Sequence, residues 1–210
     1  MNNFNEYLKK LQCLESEKTL IKKERSVILL SGSSNYKNAA LSQIQKEFLN
    51  IFEKFGYNVV NSNFPYNEDF KHNDFDDVHI LKASISNIVY YWHTLYNINF
   101  QKEIKRHLSP LFELENAIIV TQSSGLNLLN CVLKDRNIKE KNFRIFCLGP
   151  VAQGSEKIEK AIIFKGKKDM YTKILDNHKC DVRVDCKHFD YLKNKEIKEF
   201  IYDTLQKDKS

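Results

Sequence analysis

Ala117-Ile118-Ile119-Val120-Thr121-Gln122-Ser123-Ser124-Gly125 is the stretch on which the fold turns. Its first four residues are apolar and mostly β-branched, the pattern of a strand buried on both faces of a parallel sheet. Directly behind it, Leu126, Leu129 and Leu133 begin a helical stripe. A strand that gives way to a helix so quickly must turn sharply. A serine at the apex of such a turn needs small neighbours, because the backbone is strained and the helix passes close. Gly125 meets that need on the later side; Thr121 is larger than the glycine usual on the earlier side.

The strand has companions on both sides. Ser26–Leu30, Phe143–Leu148 and Ala161–Phe164 are apolar runs of the same kind, and Tyr57–Asn61 is a weaker one. Cys180–Cys186 alternates instead, with Val182 and Val184 facing one way and Asp181, Arg183 and Asp185 the other. That is an edge strand with one wet face. Between the strands lie stripes of helical period. Leu41, Ile44, Phe48, Ile51, Phe52 and Phe55 form one, stopped by Gly56. Val78, Leu81, Ile85, Ile88, Trp92 and Leu95 form a longer one, and Ile197, Phe200, Ile201 and Leu205 a closing one. Strands alternating with helices predict an α/β fold with a doubly wound, mostly parallel six-stranded sheet. Residues 1–25 read as a charged helical leader and residues 26–210 as a single domain. Within it, 65–112 is a helical excursion whose aromatic run Tyr90–Tyr96 either packs on the sheet or covers a substrate as a lid. The connection from Leu148 to Ala161 is about as short as a parallel crossover permits.

Composition narrows the class. The chain has 210 residues, of which 42% are hydrophobic and 29% charged, enough to bury about 70% of its unfolded surface without staples. Six glycines and three prolines argue against a turn-rich β sandwich. The formal net charge is +6, but the lysines are dispersed, whereas a nucleic-acid surface clusters its charge. Five cysteines, two of them (Cys131 and Cys147) inside apolar runs, fit free thiols in a reducing compartment. The first residues lack an apolar signal core, and no run reaches the roughly 18 apolar residues of a membrane span. A cytoplasmic protein with no membrane span and no nucleic-acid partner is the expectation.

A serine nucleophile needs a base, and the base an orienting acid. In a parallel sheet these groups must stand at the carboxyl ends of strands. His188 follows the edge strand and qualifies. His178 precedes it and is expected at the opposite end, roughly 30 Å away if the segment stays extended. His79, His93 and His107 fall in the excursion and suit packing or surface roles, while His72 fits a lid. Asp169 leaves the strand at 161–164 through Gly166, one strand before His188, where its carboxylate can fix the imidazole tautomer. Ser31-Gly32-Ser33-Ser34 follows the first strand, so the Ser33 and Ser124 backbone N–H groups are candidate donors to a developing oxyanion. A metal site drawn from His178, Cys180, Cys186 and His188 fails on length, since ten extended residues span roughly 33 Å.

With these residues in hand, the chain resembles a compact α/β-hydrolase. VILLSGSS, GYNVVNSNFP, AIIVTQSSG, FRIFCLGPVA, IIFKGKKD and VDCKHFDYL match over about 26–205, in the order serine, acid, histidine. The resemblance implies spatial strand order second, first, third, fourth, fifth, sixth, and a small serine hydrolase with Ser123, Asp169 and His188 as triad and Ser33 and Ser124 as oxyanion donors. It implies a small-molecule acyl substrate, an ester or thioester, and no cofactor or metal. The oxyanion loop departs from the usual His-Gly, and the family's cap is nearly absent at 150–160. Two other readings fit less of the chain. SGSSNYKNAAL could serve a flavodoxin-like reductase as a nest for flavin phosphate, and a hydrolase-like fold can persist as an inactive binding module.

Overall fold

The computed structural model describes residues 3–208, and the side chains of all of these but Ile80 and Leu81. Six strands form one sheet: β1 (Ser26–Leu30), β2 (Asn58–Val59), β3 (Asn116–Gln122), β4 (Asn142–Leu148), β5 (Ala161–Gly166) and β6 (Val182–Val184). Their order is β2-β1-β3-β4-β5-β6, and every pairing is parallel. This is the α/β sheet that the alternation of runs and stripes predicts, in the spatial order expected.

Alternation along the strands sends side chains to two cores. Ile28, Ile119, Ile145 and Ile163 face one, closed by α4 (Ile98–Leu108) and α5 (Gly125–Leu133). Val27, Leu29, Ile118 and Phe146 face the other, closed by α2 (Gln43–Glu53) and α7 (Lys195–Lys207). Ser42 starts α2 with a reciprocal capping box to Gln45, and Gly56 ends it at φ 79°. Cys147 lies within the first core, where burial pushes its thiol up to about 12. All five cysteines are free.

Residues 3–25 pack on this domain. The helix α1 (Phe4–Cys13) buries Phe4, Tyr7 and Leu11. Its end is held by the Arg106 guanidinium, which donates to the Leu11 and Leu14 carbonyls at 2.6 and 2.7 Å.

The two edge strands are shorter than the sequence suggests. β2 keeps two residues, because the chain leaves the sheet where Asn63 turns its side chain to accept from Ser31 N–H at 3.1 Å. β6 keeps three, although burial still alternates through Val184 and Cys186 beyond its end.

The largest departure is in α3 (Ile80–Tyr96). It buries Ser86, Tyr90 and Thr94, and turns Ile85, Ile88 and Trp92 to solvent; Val78 and Leu95 are half-buried, and the side chain of Leu81 lies outside those described. The expected stripe therefore points outward. Tyr90 decides the rotation. Its ring fills an aromatic cluster with Tyr7, Tyr36 and Phe100, and the hydroxyls beside it find partners: Tyr36 O–H donates to Ser86 O at 2.5 Å and Thr94 O–H to Tyr90 O at 2.8 Å. Polar groups so satisfied cost little to bury. Among the described residues, no helix is long and apolar enough to cross a membrane.

Candidate active site

Ser123 sits between β3 and α5 with φ at 54°. A left-handed backbone at a residue other than glycine costs roughly 1–2 kcal/mol, so its neighbours must hold it there. Ser123 N–H donates to Leu148 O at 3.1 Å, and its carbonyl accepts from Val151 N–H at 3.0 Å. The helix behind it crosses β1 at Gly125, where an added Cβ would lie 1.9 Å from the Leu30 carbonyl oxygen. Only glycine permits that approach.

The structure brings three of the expected residues into one relay. His188 Nε2 lies 3.0 Å from Ser123 Oγ, and His188 Nδ1 lies 2.9 Å from Asp169 Oδ2. An ionised carboxylate only accepts, so Nδ1 carries the proton and Nε2 is left to accept from the serine hydroxyl. Asp169 is fully buried and caps α6 (Met170–Leu175), with Oδ1 accepting from Tyr171 and Thr172 N–H at 2.9 and 3.2 Å.

Tyr191 completes this group, and nothing in the sequence marked it. Its hydroxyl donates to Asp169 Oδ2 at 2.8 Å and accepts from Gly166 N–H at 2.6 Å. The ring is seated against Gly149, at φ 52°, where a Cβ would lie 2.2 Å from ring carbon Cε2. Burial alone would raise the Asp169 pKa, but bonds from His188, Tyr191 and Thr172 outweigh it and hold the carboxyl below its ordinary 3.8. A carboxyl depressed on folding stabilises the protein above its unfolded pKa, and that share is lost as pH falls through the folded value. The melting temperature should therefore drop on acidification below 3.8, and Asp169→Asn should flatten that part of the profile. A variant whose acid limb is as steep as the parent's would show that other carboxylates carry it.

The loop after β1 lies beside the serine turn. A Cβ placed on Gly32 would stand 2.8 Å from Ser124 Oγ and 2.4 Å from Asn87 Oδ1. Asn63 braces this loop, its amide donating to Ser31 Oγ at 2.9 Å. Among the described residues, neither Ser33 nor Ser124 spends its backbone N–H on a protein acceptor.

His178 is not where sequence reasoning put it. It is buried, with Nδ1 at 2.7 Å from Asp176 Oδ1, and Lys165 near the carboxyl end of β5 reaches Asp176 Oδ2 at 2.6 Å. Its Nε2 would lie 3.5 Å from a Cβ on Gly154, in the loop after β4. The segment before β6 folds back rather than running extended, so His178 lies towards the carboxyl side of the sheet. The protein thus holds two Asp–His pairs, and among the described residues only that of His188 has a serine hydroxyl against its outer nitrogen. No group of three His, Cys, Asp or Glu among the described residues is arranged to hold a metal ion. Two of the remaining histidines pack in the excursion: His107 is buried against the Leu11 carbonyl, and His93 stacks on Phe4 at 3.6 Å.

No protein-family model matches the chain. No curated protein matches it either. Among solved structures, it is similar to an uncharacterized protein from Bacillus cereus ATCC 10987, at 15% identity and a TM-score of 0.48, over 90% of this chain and 61% of that one. The chain thus spans about three-fifths of that protein's length. It is also similar to a predicted CIB-like hydrolase from Thermoplasma acidophilum, at 15% identity and a TM-score of 0.47, over 87% of this chain and 86% of that one.

Proposed function

We propose that the protein is a serine hydrolase of the α/β-hydrolase type that cleaves carboxylic esters or thioesters through an acyl-enzyme. The observation that carries this reading is the continuous relay from Ser123 Oγ through His188 to Asp169, with contacts of 3.0 and 2.9 Å, at the strained turn after β3. Ser123 Oγ attacks the carbonyl carbon while its proton passes to His188 Nε2. The Asp169 carboxylate stabilises the imidazolium, and the Ser33 and Ser124 N–H groups donate to the oxyanion as the tetrahedral adduct forms. His188 then protonates the leaving oxygen or sulfur, the carbonyl re-forms as the ester, and water activated by the same imidazole releases the acid.

A fluorophosphonate probe tests this. One adduct per chain should map to Ser123, and Ser123→Ala should lose both labelling and hydrolysis of a p-nitrophenyl ester. Efficient labelling of the alanine variant, or an adduct elsewhere in the parent, would overturn the assignment.

Within this reading Tyr191 is a positioning residue, acting on the reaction through Asp169. Tyr191→Phe keeps the ring against Gly149 and removes the hydroxyl. It should lower kcat by about tenfold, the scale of one charge-assisted hydrogen bond. KM should change little, and the alkaline arm of the kcat profile should be unaltered in amplitude while the acidic arm moves, because Asp169 loses a donor to the oxygen that holds His188. Loss of stability alone would leave the pH profile of the folded fraction where it was.

A further inference from the structure

Two helices beside Ser123 carry their apolar side chains on the outside. On α3, Ile85, Ile88, Trp92 and Tyr96 expose 65%, 58%, 57% and 58% of their surface. Their spacing places them on one face, over roughly 16 Å of helix axis. Trp92 and Tyr96 lie 4.9 Å apart, ring to ring. On the other side of the serine, α6 buries only Thr172 and exposes Tyr171 and Ile174, while Phe189 follows His188 into solvent. These elements belong to the site: Asn87 of α3 closes on Gly32 and Ser124, and the Tyr171 and Phe189 rings lie 4.8 and 5.3 Å from the His188 ring.

Along these two stretches of chain the exposed charges have one sign, with the acids Asp76, Asp77 and Asp190 standing just outside them. From Val78 to Lys102 the sequence contains no acidic residue, and from Gly166 to Leu175 only Asp169, which is fully buried. Exposed lysines accompany both stretches, Lys82 and Lys102 on the first and Lys167 and Lys173 on the second. An apolar face bordered by lysines, with Trp and Tyr at its end, has the chemistry of a helix lying in the interface of an anionic bilayer.

We propose that the protein docks on the surface of anionic lipid bilayers through the exposed face of α3, with the α6–Phe189 cap as a second contact, so that Ser123 faces the lipid. The apolar side chains enter the headgroup boundary and the lysines pair with lipid phosphates, an attraction that salt weakens. Docking does not depend on the chemistry of Ser123, and the Ser123→Ala variant should bind as the parent does.

Trp92 is the only tryptophan, so its emission reports on this face alone. The full chain should float with vesicles of phosphatidylcholine and phosphatidylserine in equal parts, and Trp92 emission should move to shorter wavelength and become shielded from iodide. Vesicles of phosphatidylcholine alone should bind at least tenfold less. Ile88→Glu and Ile174→Glu, both at exposed positions, should keep the parent melting temperature, retain Trp92 and lower the bound fraction by roughly tenfold. Absence of binding, binding with unchanged Trp92 emission, or equal binding to both vesicles would overturn the proposal. So would an emission shift that grows with protein concentration without lipid, which would place a second copy of the chain on this face.

Discussion

In a serine hydrolase of the kind proposed, His188→Ala should lower ester hydrolysis by about four to six orders of magnitude, the range found when the base of a serine triad is removed. The expectation rests on Ser123 Oγ having one basic partner, His188 Nε2 at 3.0 Å. Asp169→Asn costs about four orders, since an asparagine oxygen and amide can hold the imidazole in the wrong tautomer. In the His188→Ala background the same change adds almost nothing, because residues acting as one unit are not additive. His178→Ala is the informative control. It breaks the buried pair with Asp176 and lowers the melting temperature, but kcat per folded molecule stays within tenfold of the parent. Active-site titration beside the kinetics separates the two effects. A folded His188→Ala protein with parental turnover, or a folded His178→Ala protein without it, would sink the assignment of the base.

Gly125→Ala destabilises the protein on the order of 4 kcal/mol or more, well above the usual cost of overpacking. The added methyl would stand 1.9 Å from Leu30 O, 2.5 Å from Leu30 C and 2.9 Å from Ser31 N. All three are backbone atoms at the end of a central strand, so no side-chain rotation relieves the clash. Either α5 lifts from β1 or the loop holding Ser33 moves. A loss of that size is a large share of the 5–15 kcal/mol a domain has, and lowers the midpoint by roughly 8–16 °C. Gly56→Ala provides the comparison: its nearest atoms are 3.9 Å away and only its φ of 79° is strained, so about 1 kcal/mol is expected. Urea denaturation of both variants checks the ratio. Equal costs would show that the close crossing at Gly125 relaxes freely.

The sheet was legible because central parallel strands bury both faces and so read as unbroken apolar runs. β1 begins and ends at Ser26 and Leu30, as the run does. Edges were less legible, since Tyr57–Asn61 and Cys180–Cys186 carry strand-like patterns that the chain abandons after two and three residues. The apolar stripe of α3 was visible, but its direction was not. Periodicity identifies a face without saying which of two faces is inside, and here one tyrosine with well-partnered hydroxyl neighbours outweighs three exposed apolar side chains. The positions of Ser123, Asp169 and His188 followed from strand ends. His178 was misplaced because the segment before β6 was taken as extended, whereas the chain folds back at Asp176. Tyr191 had no signal at all. What gives it a place is an atom-level vacancy at Gly149, and that becomes apparent only in three dimensions.

The packing of α1 has a consequence for the timing of synthesis. Its Leu11 carbonyl is held by Arg106, and Phe4 rests on His93 and Phe100, partners encoded some ninety residues later. At roughly 5–20 residues per second, the ribosome leaves this amphipathic segment without these partners for about five to twenty seconds, although Tyr36, which packs on Phe4 and Tyr7, follows sooner. Through that interval the helix can make only part of its native packing, and Phe4, Tyr7 and Leu11 are available to chaperones.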